Sequence, residues 1–400
     1  MKHSEETILF VLAHRYDDVR QLALQADKYP EVDDMPWAVT QIAGRQMAMR
    51  KIPLWGETDG VLYPKHLSME QCSSEVTARY KASLVAGETL VDLTGGLGVD
   101  SFFMGQRFKK MVYVECQAEL CELASHNLPL LGMKEVETIH ADAEKYLHAM
   151  NPVDCIFLDP ARRDCKGSKT VAISDCVPNV KSLASLLLQK ADKVWVKLSP
   201  MLDLAQAMAD LPMIQEVHVV SVENECKELL VLLGKEMVSA CPVYTVNLTK
   251  DVEQRYRFTY KEECHAVCQY TSDVETYLYE PNASVLKAGA YKSLAEAYGM
   301  KKLHPNSHLY TSKQWVADFP GRAFLCDAVI SFQKKKLKAQ LGGLSKANLT
   351  VRNFPATVAE LRKRTKLAEG GDVYLFATTL YDGRKVLLRC TKVVNHGLGF

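Results

Sequence analysis

A strand that runs directly into a glycine-rich turn constrains this chain more than any other feature. Residues 89–100 read Thr-Leu-Val-Asp-Leu-Thr-Gly-Gly-Leu-Gly-Val-Asp, and a short helical stretch follows over residues 101–108. Glycine lacks a Cβ atom, so its backbone can approach a ligand closely and adopt a positive φ. Ligands of open α/β sheets bind beyond the carboxyl ends of the strands, where Asp92 lies. The turn therefore predicts a nucleotide-type cofactor site, with a tight turn that binds nothing as the alternative.

Strands and helices alternate after this turn. Helical patterns separate the first five apolar runs, which predicts a parallel, doubly wound α/β sheet. The predicted strands after the first are 111–115, 136–140, 154–158, 193–198, 216–222 and 228–233, and the predicted helices are 118–131, 142–149 and 182–190. An acid stands at or just after the end of three of these strands: Glu115, Asp142 and Asp159.

The spacing of the glycines distinguishes between cofactors. A dinucleotide fingerprint needs a third glycine three residues after Gly98, and Ser101 stands there. This disfavours a NAD-dependent dehydrogenase. The stretch instead resembles motif I of class I S-adenosylmethionine-dependent methyltransferases, in which an acidic residue ends the first strand and Gly-x-Gly follows. A carboxylate near the turn suits the methionyl ammonium of that cofactor, a group that NAD lacks.

This resemblance implies a Rossmann-like class I methyltransferase sheet with S-adenosyl-L-methionine as the cofactor. Glu115 would contact the ribose diol and Asp142 the adenine amino group, while a solvated acid at a strand end is the alternative for each. The residues from which we expect cofactor contacts lie at the turn and at the strand ends: Asp92, Thr94, Gly95, Gly96, Gly98, Asp100, Glu115, Cys116, Asp142, Ala143 and Asp159.

The fourth strand leads into Asp-Pro-Ala-Arg at residues 159–162, where the family places its catalytic loop. Methyltransferases that act on base amines often carry Asp/Asn-Pro-Pro-aromatic there. This chain keeps Asp159 and Pro160 but lacks the second proline and the aromatic residue. Arg162 could stack on a base or hold a phosphate, or it could belong to a surface loop paired by salt bridges. Asp159, Pro160 and Arg162 are the predicted catalytic residues.

Two neighbouring segments bear on the same site. Asp-Pro-Ala-Arg also resembles the loop of uridine C5 RNA methyltransferases, but Ser199 stands where those need a cysteine, and a serine hydroxyl is a poor nucleophile without a base. Lys197 is either part of the rim of the site or a solvated lysine. In the segment before the turn, Gln71, Ser74 and Glu75 either touch cofactor or substrate, or cap a helix.

The positive charge of the chain is concentrated near its C-terminal end. Between residues 331 and 370, ten basic residues against two acidic ones give +8, so the remainder carries −7 in a chain of net charge +1. This distribution predicts a polyanionic partner, with two solvated helix faces as the alternative. The predicted RNA contacts are Lys334, Lys335, Lys336, Lys338, Arg362, Lys363, Arg364 and Lys366.

Motifs throughout the chain resemble a bacterial group of methyltransferases with a THUMP-like C-terminal domain. They lie at residues 67–75, 92–100, 280–283 and 357–367. THUMP domains bind structured RNA, so the resemblance implies that the substrate is RNA, either tRNA or rRNA. Together with the Asp-Pro loop at residues 159–160, it favours methylation of a base nitrogen. A methyltransferase acting on a small molecule or protein, and a non-catalytic RNA-binding protein that retains the fold, remain open.

Length and composition set the domain organisation and the compartment. A chain of 400 residues is longer than a single hydrophobic core usually supports, so we expect several domains. They are a helical cap with two main helices at 1–66, a methyltransferase domain at 67–240, a connecting region with ferredoxin-like character at 241–320 and a THUMP-like basic α/β module at 321–400. No membrane span or signal peptide is predicted. Twelve scattered cysteines suit the cytoplasm, and Cys-His-x-x-Cys at 264–268 is too weak to predict a metal site.

Overall fold

The structure, a computed structural model, describes residues 3–64, 66–162, 173, 176–211 and 213–393; at residues 66, 67, 162, 334–336 and 338 it describes the backbone only. The chain forms two units, one of Met1–Gln215 with Leu229–Val238 and the other of Glu216–Glu228 with Ser239–Phe400. No described helix is both long and apolar enough to cross a bilayer.

Short helices open the first unit. They are α1 (Glu5–Ala13), α2 (Val19–Leu24), α3 (Met35–Lys51), α4 (Pro53–Glu57), α5 (His66–Gln71) and α6 (Glu75–Ser83). The first of the two main helices expected here is split into α1 and α2, because Asp18 accepts hydrogen bonds from the amides of Arg20 and Gln21 and starts a new helix. Pro36 lies in the first turn of α3, as its fixed φ favours.

A central sheet follows in the first unit. The elements in chain order are β1 (Gly87–Asp92), α7 (Val99–Gly105), β2 (Phe108–Glu115), α8 (Ala118–Leu130), β3 (Val136–His140), α9 (Ala143–Ala149), β4 (Val153–Leu158), β5 (Ala161–Arg162), β6 (Cys176–Val177), α10 (Val180–Lys190), β7 (Ala191–Leu198), α11 (Leu204–Asp210), β8 (Ile214–Val222) and β9 (Glu225–Gly234). Residues 229–234 of β9 belong to this unit, and residues 216–222 of β8 belong to the other.

The strand order of this sheet confirms the predicted Rossmann-like α/β fold. The strands of the first unit lie in the order β3-β2-β1-β4-β7-β9. Neighbours from β3 to β7 are parallel, and β9 is antiparallel to β7. The chain moves from β1 towards β3 and then returns to β4 beside β1. This reversal is the switch point at which open α/β sheets bind ligands, and the glycine turn follows β1 there.

The second unit contains a larger number of short elements. After residues 216–222 of β8 they are β10 (Pro242–Leu248), β11 (Glu253–Thr259), α12 (Tyr260–His265), β12 (Gln269–Tyr270), β13 (Tyr277–Pro281), α13 (Ala283–Ala288), α14 (Lys292–Ala297), β14 (Lys301–Lys302), β15 (Tyr310–Ser312), β16 (Gly321–Ser331), α15 (Lys334–Leu341), β17 (Asn348–Arg352), α16 (Val358–Thr365), β18 (Val373–Thr379) and β19 (Lys385–Lys392). β10 pairs with β8 and with β11.

One sheet joins the two C-terminal segments that the sequence separates at residue 320. Its order is β12-β14-β15-β13-β16-β19-β18-β17. On one face, Leu278 and Leu309 share a buried cluster with Phe324 and Phe376. On the other, Leu361 belongs to a second cluster that the β16–β19 segment forms from its own residues. The C-terminal segment therefore has a core of its own on one face only.

We expect the strands on both sides of residue 320 to unfold together. Leu278 is fully buried in the shared cluster, so Leu278→Ala should lower the free energy of unfolding by about 2–5 kcal/mol. Amide hydrogen exchange should accelerate at residues 373–392 as well as at 277–281. Leu325→Ala, at a side chain that is 42% exposed in β16, is the matched control. Faster exchange confined to 277–281 would contradict a shared core.

Candidate cofactor and catalytic site

The three glycines of the turn meet different structural demands. A Cβ atom at Gly95 would overlap the ring of buried Tyr113 in β2, whose hydroxyl donates a 2.5 Å hydrogen bond to the carbonyl of Gly96. Gly96 and Gly98 have φ of +54° and +88°, which only glycine adopts readily. A Cβ atom at Gly96 would have one described atom within 4 Å, the Thr94 carbonyl oxygen at 3.8 Å. Gly95 is packed against the sheet, whereas Gly96 has an open side.

Two buried carboxylates at the ends of β1 and β2 hold this turn. Asp92 accepts a hydrogen bond from the amide of Thr94 at 3.0 Å and one from the hydroxyl of Ser101 at 2.5 Å. Glu115 accepts from the amides of Gly96 and Gln117, both at 2.9 Å. Both acids thus fix the backbone of the turn. Their contacts with the cofactor stay predictions.

Burial controls the protonation of Asp92. The side chain is 1% exposed, and this burial raises its pKa to about 7 against the opposing hydrogen bonds from Ser101 and Thr94; Asp100 and Asp159 raise it further. A protonated Asp92 near neutral pH would carry no charge for the methionyl ammonium. The side chain therefore serves first to shape the turn.

Asp159 lies beside the turn at the carboxyl end of β4. Its amide donates a 2.6 Å hydrogen bond to the hydroxyl of Thr94, and Oδ2 of its carboxylate pairs with Nζ of Lys197 in β7 at 2.5 Å. The Asp159 side chain is 39% exposed and that of Lys197 is 13% exposed. Lys197 is therefore a partner of the predicted catalytic carboxylate, as the rim interpretation requires.

A buried charge cluster lies on the other side of the turn. Lys81 in α6 is 2% exposed and pairs with Asp100 in α7 at 3.1 Å. The hydroxyl of Ser73 donates to Asp100 at 2.6 Å and accepts from Lys81 at 3.1 Å. Burial opposes ionisation of Asp100, but Lys81, Lys197 and Ser73 together hold its pKa below the ordinary value. Sequence reasoning missed Lys81, because a lysine in a short amphipathic helix is usually solvated.

Two of the three candidate residues in the segment before the turn, Ser74 and Glu75, have partners within the protein. Ser74 caps α6 by accepting from the amide of Thr77 at 3.3 Å. Glu75 accepts from the amide of Leu54 at 2.9 Å and pairs with Arg79. Gln71 is exposed. The contacts of Ser74 and Glu75 favour the helix-capping interpretation of these two residues.

The other predicted site residues differ in position. Asp142 is exposed and caps α9 by accepting from the amide of Lys145 at 3.0 Å, with Ala143 beginning that helix. Cys116 is exposed next to Glu115, and Pro160 is buried. The side chain of Arg162, and the whole of Arg163 and Asp164, lie outside the described residues.

Among the predicted RNA contacts, the structure describes the side chains in and next to α16 but not those of the α15 lysines. The guanidinium of Arg362 donates to the carbonyls of Ala347 and Leu367 at 3.4 and 3.2 Å, so part of it stabilises the fold. Arg364 lies over the ring of Phe332, and Lys363 and Lys366 are exposed. The side chains of Lys334, Lys335, Lys336 and Lys338 lie outside the described residues, although α15 itself is described.

The Cys-His-x-x-Cys segment begins in the last turn of α12, where Cys264 and His265 lie. Cys264 is exposed, and Nδ1 of His265 forms a hydrogen bond with the carbonyl of Lys261 at 2.7 Å. Across the described parts of the chain, no group of three or more histidine, cysteine or acidic side chains is arranged to hold a metal ion.

Comparisons with known proteins agree with this geometry. Residues 277–320 match a ferredoxin-like domain family and residues 321–392 a THUMP domain-like family. The crystal structure of a protein from Porphyromonas gingivalis W83, assigned to the methyltransferases, is 35% identical, covers 97% of this chain and 98% of its own, and superimposes with a TM-score of 0.89. An uncharacterized S-adenosylmethionine-dependent methyltransferase from Mycobacterium tuberculosis is 22% identical over 84% of this chain and 90% of its own length.

A further relative matches only a short segment of this chain. An uncharacterized RNA methyltransferase from Bacillus cereus is 32% identical over 102 residues, which are 24% of this chain and 22% of that protein. The switch-point site and these likenesses define a class I S-adenosylmethionine-dependent methyltransferase. The chain belongs to the family of the Porphyromonas gingivalis protein. In this chain a ferredoxin-like and a THUMP-like segment follow the methyltransferase sheet.

The described residues fit the cofactor of this family. The open side of Gly96 leaves room for a ligand to approach the backbone closely. The Glu115 carboxylate, fixed against the amide of Gly96, stands where a ribose diol would be held. We therefore expect Gly96 and Glu115 to bind the cofactor, whereas Gly95 and Asp92 maintain the turn that presents them.

Alanine substitutions at adjacent glycines should separate these two functions. Gly95→Ala forces a Cβ atom into the Tyr113 ring and should lower the free energy of unfolding by about 1–3 kcal/mol, the usual cost of overpacking. Gly96→Ala, at φ +54° with open space, should lower it by only about 1–2 kcal/mol but weaken S-adenosylmethionine binding at least tenfold in calorimetry. Equal affinity in Gly96→Ala and wild type would contradict the open-side assignment.

The stability of the protein should depend on the titration of Asp92. Its pKa is raised from 3.8 to about 7 on folding, so the native state holds the proton more tightly than the unfolded state does. This contribution to stability is complete below about pH 4 and is lost as the pH rises through 7. One unit of pKa difference corresponds to about 1.4 kcal/mol. In urea unfolding, the free energy of unfolding of Asp92→Asn should therefore rise relative to that of the wild type by on the order of 4 kcal/mol between pH 4 and pH 8.

A substitution that removes no titratable group provides the control. Leu325→Ala truncates an apolar residue that is 42% exposed. Its stability difference from wild type should not change over the same pH range. A constant difference for Asp92→Asn as well would mean that Asp92 does not titrate with a raised pKa.

Proposed function

We propose that this S-adenosylmethionine-dependent methyltransferase modifies a base nitrogen in structured RNA, either tRNA or rRNA. The observation that carries the proposal is the position of Asp159. Its backbone is tied to the glycine turn through Thr94, and its carboxylate is held by Lys197. A half-exposed carboxylate fixed beside the cofactor turn can accept a hydrogen bond from an amine or ring N–H of the acceptor.

Charge and kinship support RNA as the substrate. The segment from residue 331 to 370 carries +8 in a chain of net charge +1, and positive charge concentrated in one module favours nucleic-acid partners. Residues 321–392 match a THUMP domain-like family. The Bacillus cereus relative is named as an RNA methyltransferase. These observations favour RNA over a small molecule or a protein.

The chain would contribute mainly positioning to the reaction. S-adenosylmethionine, when bound, supplies the electrophilic methyl group. The hydrogen bond between Thr94 and Asp159 keeps the cofactor turn and the acceptor loop at a fixed separation, which favours in-line attack. Lys197 holds Oδ2 of Asp159, which leaves Oδ1 as the oxygen that accepts from the acceptor. Oδ1 therefore orients the acceptor nitrogen through its N–H group.

Methyl transfer to RNA should depend on Asp159. Total RNA from a strain lacking the gene, incubated with the protein and labelled S-adenosylmethionine, should acquire one methylated nucleoside that mass spectrometry identifies. Asp159→Ala should slow this transfer by about 100-fold or more, a typical effect of losing a positioned polar group in the transition state. Glu144→Gln, at an exposed acid of α9, should retain the wild-type rate.

Two outcomes would overturn the proposal. Transfer to a protein or small-molecule fraction but not to RNA would identify another substrate class. Absence of transfer to any fraction, together with retained RNA binding, would identify a non-catalytic RNA-binding protein.

A further inference from the structure

A single buried carboxylate in the second unit holds two arginines. Glu280, near the end of β13, is 2% exposed. Arg322 in β16 donates to its Oε2 through Nε at 3.0 Å and also through a terminal nitrogen. Arg352, the last residue of β17, pairs with Oε1 at 2.8 Å. Arg322 lies directly opposite Glu280 in the neighbouring strand. Three strands separate β13 from β17 in the sheet order, so Arg352 reaches the same carboxylate from a strand that is distant in the sheet.

This cluster has a net positive charge and is partly exposed. Two guanidiniums and one carboxylate leave a net charge of +1. The side chains of Arg322 and Arg352 are 34% and 36% exposed. The buried Nε of Arg352 has no hydrogen-bond partner among the described residues.

His308 is a further group on which the charge of Arg352 acts. It has φ of +52° and stacks on Tyr291 with ring centroids 3.7 Å apart. Burial, followed by the positive charges of Lys302 and Arg352, lowers its pKa to about 4, so the ring is neutral near pH 7. Its buried Nδ1 has no hydrogen-bond partner within the described part of the chain. A neutral imidazole can present an N–H donor there.

We propose that Arg322 and Arg352 form a binding site for one backbone phosphate of the RNA substrate, with His308 as a neutral neighbour. The proposal rests on the proposed function and specifies where the second unit holds RNA. A phosphodiester carries one negative charge, which balances the net +1 of the cluster. Guanidinium groups match phosphate oxygens with paired N–H donors, and Glu280 fixes both guanidiniums before the ligand arrives.

The site is separate from the basic residues of α16. Arg352 ends β17, whereas Arg362 donates to the carbonyl of Ala347, which precedes the first residue of that strand. Five residues of strand span about 16 Å. RNA bound at both places would therefore contact the unit through phosphates well apart from each other.

Chemical footprinting of the unmodified full chain tests the site without risk of misfolding. Phenylglyoxal reacts with accessible arginines, and peptide mass spectrometry gives the rate at each one. Saturating tRNA or rRNA, whichever the protein methylates, should slow modification of Arg322 and Arg352 at least fivefold. Arg389 of β19, which pairs with Asp327 of β16 and has a side chain that is 35% exposed, should react at an unchanged rate. Unchanged rates at Arg322 and Arg352 with bound RNA would overturn the proposal.

Salt dependence of RNA binding provides a second measurement. Arg352→Gln leaves Arg322 to pair with Glu280 and should weaken binding about tenfold. The slope of log K against log salt concentration should become shallower by about 0.7–0.9 for the lost phosphate contact. Arg389→Gln is the matched control and should change neither quantity.

The two proposals fail in distinguishable ways. A wild-type protein that neither binds nor methylates RNA would overturn the proposed function and this site with it. A wild-type protein that methylates RNA, with Arg352→Gln binding RNA at the same affinity and salt slope, would overturn this site alone.

Discussion

The hydrogen bond from the amide of Asp159 to the hydroxyl of Thr94, 2.6 Å long, is the contact on which the site depends. It joins the turn after β1 to the loop after β4, at the point where the strand order reverses. Asp92 and Glu115 hold one side of this joint by accepting amide hydrogen bonds of the turn, and Lys197 holds the other through the Asp159 carboxylate. The glycine turn and the loop after β4 are therefore held together by one connected set of polar contacts.

Buried carboxylates in this molecule differ in charge according to their partners. Asp92 has only neutral donors, a hydroxyl and an amide, and burial raises its pKa. Asp100, eight residues later, faces the ammonium of Lys81 and keeps a lowered pKa despite equal burial. Glu280 in the second unit is paired with two guanidiniums. In the last two cases the buried acid anchors cations, so the acid determines where positive charge is fixed.

Much of the fold follows from local sequence patterns. The strand ending at Asp92 and the helix beginning near Ala118 were predictable from apolar periodicity and turn residues. The shared core around Leu278 was not, because pairing between distant strands leaves no local pattern. In the site, the glycines, the strand-end acids and Lys197 were visible in the sequence. The role of Lys81, and the pairing of Lys197 with Asp159, become apparent only when the helices and strands are packed together.

A count of charges along the sequence likewise does not show which cations are already paired in the fold. A window of +8 indicated a polyanion partner, yet Arg362 within it donates partly to backbone carbonyls, and Arg322 lies outside it. The arginines best placed for phosphate are those that a buried acid orients while leaving them half exposed. Contacts of this kind position a nucleic acid without reading its sequence. Under the proposed function, selection of the nucleotide would therefore come from the loop at Asp159, whose carboxylate would accept a hydrogen bond from the acceptor nitrogen.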